Sequence, residues 1–211
     1  MTLLKKTVAA CAVALAGLAA VPAQAAFVGS TPASNDIIGI SEGWFDADLY
    51  LIAGANTTIT ATFVGKEAGY TNLFYMNGVQ LFNSNVGGAP INTLVAPGLI
   101  NFAFYSNLGG ANPMAGSVTN GSNVDPASGF VNYFVTFDDF LVNGSTPSSG
   151  TTVLLAFDDT GAGPDDNHDD MVIRLTISNG TFQVPEPTSL ALLGAALLGL
   201  GAARRRSAAK Q

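Results

Sequence analysis

The chain has 211 residues, one cysteine (Cys11) and one histidine (His168), with 15 acidic against 8 basic side chains and a formal net charge of −7 at neutral pH. The imbalance is concentrated: between Ala26 and Val184 the only cations are Lys66 and Arg174, set against fourteen acids. Such a segment has no basic patch to release counterions from nucleic acid or anionic lipid, and divalent cations are its natural partners. Single copies of Cys and His exclude an internal disulfide, a thiolate zinc site and a multi-histidine metal centre.

In chain order, Lys5 and Lys6 precede an apolar run from Thr7 to Ala20 and then Ala23-Gln24-Ala25. That order predicts a secretory signal helix over residues 1–25, cleaved after Ala25, with Ala23 and Ala25 as the small residues of the site. Only four residues separate Lys6 from Cys11, too few for an apolar segment ahead of a lipidated cysteine. The mature domain is expected over 26–183, with Phe27 to Ser34 as a loose lead-in.

From there the apolar period is two. Ile59, Ala61 and Phe63 alternate with Thr58, Thr60 and Thr62, and Met171, Ile173, Leu175 and Ile177 alternate with Val172, Arg174 and Thr176. Both segments read as strands covered on one side. Further strands are predicted over Trp44–Ile52, Asn72–Met76, Val79–Phe82, Leu99–Tyr105, Phe130–Phe137 and Thr151–Phe157. Asn77-Gly78 suits a two-residue hairpin turn, and Asn179-Gly180 is read the same way. The glycine-rich stretch from Ser106 to Ser128 is expected to be a surface loop. No helical stripe interrupts these strands. The expected fold class is all-β, an antiparallel two-sheet sandwich of jelly-roll type. The sequons at Asn56, Asn120, Asn143 and Asn179 predict little in a chain so rich in Asn, Ser and Thr.

The stretch with the most chemistry lies between two predicted strands, from Phe157 to Met171. Asp158, Asp159, Asp165, Asp166, Asp169 and Asp170 fall within thirteen residues, with Gly161, Gly163 and Pro164 between the two groups. Carboxylates so close repel one another and take up protons or a cation. Calcium, which accepts six to eight oxygen ligands in flexible geometry, suits them better than zinc or magnesium. The candidate calcium ligands are Asp158, Asp159, Asp165, Asp166, Asn167, Asp169 and Asp170; the other reading is a solvated acidic hairpin with no ion. His168 is expected to face solvent.

The tail from Val184 to Gln211 has three parts: Pro185-Glu186-Pro187, an uncharged run from Thr188 to Ala203, and Arg204-Arg205-Arg206. The prolines end any strand or helix. The sixteen-residue run spans only about 24 Å as a helix, just under a bilayer's needs, and the arginines mark its cytoplasmic side. This order resembles the PEP-CTERM sorting signal of Gram-negative bacteria. The resemblance implies recognition by an exosortase, a membrane-embedded cysteine transpeptidase, transient anchoring in the inner membrane by the 184–211 signal, and release to the cell surface or extracellular matrix.

Phe157-Asp158-Asp159 and the run from Asp165 to Val172 also resemble the DUF4114 family, a β-rich domain of exported bacterial proteins. The segment Phe63 to Asn72 is similar to stretches that accompany it. That resemblance implies Asp165, Asn167 and Asp170 as oxygen ligands; Asn167 stands where an acid is usual and His168 where an aromatic is usual.

The expected function is therefore a non-enzymatic, calcium-stabilised surface or matrix domain, structural or adhesive in biofilm polymer. The alternative is a calcium-dependent carbohydrate-binding module using Trp44, Tyr70, Tyr75 or Tyr105 on extracellular polysaccharide. A polysaccharide hydrolase is the weaker reading. Its two carboxylates should be separated across an aromatic-lined cleft, and these crowd one loop. No nucleophile elbow, phosphate loop or His-Glu-x-x-His motif is present.

Overall fold

The computed structural model describes residues 26–28, 37, 43–45, 47–84, 88–108, 116–123, 131–137, 147–159 and 168–185. The predicted signal helix with Ala23 and Ala25, the acids Asp165 and Asp166 with Asn167, and the tail beyond Pro185 lie outside these residues. Residues 25–186 make one compact unit. Its strands are β1 (Ala26–Val28), β2 (Gly43–Phe45), β3 (Tyr50–Ile52), β4 (Thr57–Gly65), β5 (Leu73–Met76), β6 (Val79–Phe82), β7 (Ile91–Val95), β8 (Gly98–Leu99), β9 (Phe102–Tyr105), β10 (Ser117–Thr119), β11 (Asn132–Phe137), β12 (Ser149–Gly150), β13 (Thr152–Asp158), β14 (Met171–Ile177) and β15 (Thr181–Gln183). Among the described residues there is no helix, and the strand pairings are antiparallel.

The strands form a seven-stranded sheet, β1-β2-β11-β13-β14-β4-β7, and two four-stranded sheets, β10-β9-β5-β6 and β12-β15-β3-β8. The all-β, antiparallel expectation holds, with three hydrogen-bonded sheets where two were expected. One face of each contributes to a single apolar cluster. Ile59, Ala61, Tyr133, Val135, Val153, Leu155, Phe157, Ile173 and Leu175 come from the large sheet, Phe74, Met76, Phe102, Phe104 and Val118 from one small sheet, and Leu51 and Phe182 from the other. Alternate residues of a strand face opposite ways, so the period-two pattern of the sequence is this shared core.

The small sheets meet where the chain from β8 to β9 breaks step. At the break the Ile100 amide donates to the Leu49 carbonyl at 3.1 Å. Asn120 then ties the edges together: its side chain accepts from the Leu49 amide at 2.8 Å and donates to the carbonyls of Leu49 (2.8 Å) and Ile100 (2.7 Å). An asparagine satisfying three buried backbone groups does the work of a missing strand pair. The predicted strand Leu99–Tyr105 is thus two strands in two sheets. Trp44–Ile52 divides in the same way into β2 and β3.

Other expectations are corrected by position. Phe27 and Val28, the start of the expected lead-in, pair together with Ala26 along Gly43–Phe45 as an edge of the large sheet. The supposed surface loop from Ser106 to Ser128 contains β10, paired with β9, and the buried Ser106, Asn107 and Asn120. The Asn77-Gly78 hairpin is as expected, with φ of 47° and 86°, the left-handed pair that a tight β-turn requires. Asn179-Gly180 is no hairpin, because β14 and β15 lie in different sheets. Nor is β14 covered on one side only. Phe134, Leu154, Ala156 and Val172 form a second buried cluster on the outer face of the large sheet, with Ile37 and Val64 packed against it.

Candidate functional site

The residues flanking 160–167 converge at one end of the core, and aromatic packing explains why. Phe157 stacks on Phe104 with centroids 4.7 Å apart and planes 6° from parallel, and Phe74 lies 5.1 Å from Phe104. Residues two apart in a strand share a face, so the next layer outward brings together Asn72, Ser106 and Asp159. Asn72 Nδ2 donates to Asp159 Oδ2 at 2.6 Å, and Ser106 Oγ donates to the Asp159 carbonyl at 2.9 Å. The Asn107 amide donates to Asn72 Oδ1 at 3.2 Å. Asn107 reaches this position with φ of 51°, a left-handed conformation asparagine tolerates well.

Asp158 takes the opposite face. It pairs across the sheet with Asn132, and His168 Nε2 donates to Asn132 Oδ1 at 2.5 Å while its ring meets Phe134 edge-on at 5.4 Å. His168 is fully buried, which corrects the solvent-facing expectation, and burial pulls its pKa down to about 3. The imidazole is therefore neutral at every ordinary pH. Its φ of 56° lies in the left-handed region and turns the chain from the loop into β14.

Of the four described acids, Asp158 and Asp159 thus turn to opposite faces, while Asp169 and Asp170 follow on the other side of the hairpin. Asp158, Asp159 and Asp169 are buried at 0, 2 and 1 % exposure. Asp170 is half-buried and accepts the Asp159 amide through Oδ2 at 2.8 Å, closing the hairpin root. The Asp169 carbonyl accepts the Glu67 amide at 2.9 Å and ties the root to the end of β4. Burial pushes the Asp170 carboxyl up to about 7; the Asp159 amide opposes this, while the carboxylates of Asp159, Asp158 and Asp169 add to it. Among the described residues, no group of three or more His, Cys, Asp or Glu side chains is placed to hold a metal ion.

Asn72, Ser106, Asn107 and Asn132 escaped the sequence reading because they come from three distant segments. Their signal was present in the spacing, since each of the first two lies two residues from a core phenylalanine. Of the aromatics considered for glycan binding, Trp44 is buried and its indole N–H donates to the Pro147 carbonyl at 3.1 Å, so it offers no platform. Tyr75 and Tyr105 are half-buried on the outer face of the β10-β9-β5-β6 sheet, opposite Phe74 and Phe104.

Fold and site together define an all-antiparallel β domain with buried carboxylates at one hairpin root. Beyond that class, residues 183–206 match the family model of the PEP-CTERM protein-sorting motif. The matched segment includes Pro185-Glu186-Pro187 and Arg204-Arg205-Arg206, and it implies an exported protein of Gram-negative bacteria recognised by an exosortase. No curated protein and no solved structure matches the chain. Among the described residues, no helix is long and apolar enough to cross a membrane; the apolar run 188–203 lies outside them.

Proposed function

We propose that this protein is a non-enzymatic cell-surface or extracellular-matrix component, sorted by an exosortase and stabilised outside the cell by calcium at the β13–β14 hairpin root, with a structural or adhesive role in biofilm polymer. The sorting motif at residues 183–206 carries the route. The calcium reading is supported by the carboxylates of Asp159, Asp158 and Asp169, which add to the effect of burial in raising the proton affinity of Asp170, since neighbouring negative charges that favour a proton also favour a cation. The described carboxylates do not make a ligand shell by themselves, so Asp165, Asp166 and Asn167 would have to complete it. The likeness of residues 157–172 to DUF4114 points to Asp165, Asn167 and Asp170 as oxygen donors and rests on that motif alone. Calcium at about 1 mM, in the range typical of extracellular modules, is expected to raise the melting temperature of the secreted protein. Asp165→Asn combined with Asp170→Asn should remove the shift, and an unchanged wild-type melt in calcium would refute the ion.

A calcium-dependent carbohydrate-binding module is favoured by one observation. The outer face of the β10-β9-β5-β6 sheet presents Tyr75 and Tyr105 beside Gln80 and the exposed Ser117 and Thr119, and sugars are held by such mixtures of aromatic faces and short polar groups. Glycan-array binding lost in Tyr75→Ala and in chelator would establish this reading over a purely structural one.

A further inference from the structure

The matched sorting motif begins at Gln183, inside the folded domain. Gln183 is the last residue of β15, which is hydrogen-bonded along both edges: Ser149 and Gly150 of β12 pair with Gln183 and Phe182, and Tyr50, Leu51 and Ile52 of β3 pair with Gln183, Phe182 and Thr181. Phe182 and Val184 are both fully buried in the main core. The Val184 amide donates to the Ser148 carbonyl at 2.8 Å. The next residue, Pro185, is exposed and has no amide to continue the ladder. Burial therefore stops at Val184, and Pro185 cannot donate the next backbone bond.

We infer that β15 and Val184 form a stop that denies processing enzymes the peptide bonds upstream of Pro185, so that the fold itself fixes the N-terminal limit of tail removal. An enzyme that cuts a peptide bond must first draw several residues into an extended, unpaired conformation. In the tail-removing reaction the C–N bond breaks, the acyl carbon passes to water or to an acceptor amine, and the leaving amine takes up a proton. Upstream of Pro185, reaching that geometry means stripping two rows of strand hydrogen bonds and exposing Phe182 and Val184. Pro185, the one described residue beyond Val184, is exposed. Pro185 then has a second role besides signalling: it ends β15.

Gly180 offers a lever outside the motif. A Cβ there would lie 2.8 Å from the Ile52 carbonyl oxygen and 3.0 Å from Ala53 Cβ, and its φ is +108°, so Gly180→Val must displace the turn that feeds β15 into its sheet. The stop is tested by brief digestion of the full chain with thermolysin, which cuts before large apolar residues, followed by mass measurement of the fragments. The wild type should show no cut between Thr181 and Pro185. Gly180→Val and, independently, Leu51→Ala, which removes the buried cross-strand neighbour of Phe182 in β3, should open the bond before Phe182 while the rest of the domain resists. A wild-type cut before Phe182 or Val184, with the rest of the domain intact, would overturn the stop.

The inference also rests on the proposed exosortase sorting for its biological sense. In an exporting host, the wild-type mature C-terminus should lie at or beyond Pro185 and move upstream in Gly180→Val. Retention of Arg204 by the wild type would refute tail removal while leaving the digestion result to decide the stop, and a wild-type terminus upstream of Val184 would refute the stop while leaving sorting intact.

Discussion

Asp170 and His168 sit on either side of Asp169 and respond to acid in opposite senses. The folded Asp170 carboxyl, raised from 3.8 to about 7, binds a proton that the unfolded chain releases, so its contribution to stability is full below about pH 4 and is lost as pH rises through about 7. The folded His168 ring, lowered from 6.5 to about 3, refuses a proton that the unfolded chain accepts, so its contribution is full above about 6.5 and is lost as pH falls through about 3. Between about pH 4 and 6.5 the two nearly cancel. Asp170→Asn should uncover the histidine. In chelator the variant should melt above wild type at pH 8, where it removes a repelled carboxylate, and the advantage should shrink steadily towards pH 4; melting curves of both proteins across that range check it. A constant difference at every pH would show that Asp170 is not the perturbed group. That some carboxyl of this run takes up protons was legible in the sequence; which one, and the buried histidine beside it, were not. His168 within an acidic, polar run has every mark of an exposed residue, and only the fold brings Asn132 and Phe134 to it.

At the scale of the strand, the periodicity was informative about which residues face the core and uninformative about which strands are neighbours. β4 and β14 were visible because apolar residues alternate along them, and β5, β6, β11 and β13 because short runs rich in apolar and aromatic residues lie between turn signals. The division of Trp44–Ile52 and of Leu99–Tyr105 was not, because each changes sheet in mid-run and its polar residues, Asp46 and Asp48 in one and Asn101 in the other, fit the outward positions of a continuous strand. The short β10 and β15 were missed for the opposite reason, having one core side chain apiece, Val118 and Phe182. Close backbone approach is equally silent in sequence. Gly43 in β2 has no turn to make, yet a Cβ there would lie 2.5 Å from a Phe134 ring carbon and 2.6 Å from the Val135 carbonyl oxygen. Gly43→Ala should destabilise the domain by about 1–3 kcal/mol, the usual effect of overpacking. Gly54→Ala, which meets nothing within 4 Å, should stay within about 0.5 kcal/mol, as surface substitutions do. Chemical denaturation of the two variants in parallel measures both, and equal effects would mean that β2 does not lie against β11 as described.

For the whole molecule, composition anticipated an anionic β domain, and the tail gave the route by its tripartite order. What composition could not supply is how the charge is distributed. Asp158 and Asp159 are sequence neighbours but lie on opposite faces of the large sheet, so a count of acids in a loop overstates how many can serve one ion. The pairing of β15 with β3 bears on how such a chain is made. Its partners lie more than a hundred residues apart, and contacts so distant form slowly. A polypeptide threaded N-terminus first through a membrane channel cannot complete this sheet until Val184 has emerged, which is the moment the channel meets the sorting segment. Translocation and folding would then reach completion together, and the emerged part of a chain still in transit would lack its final strand.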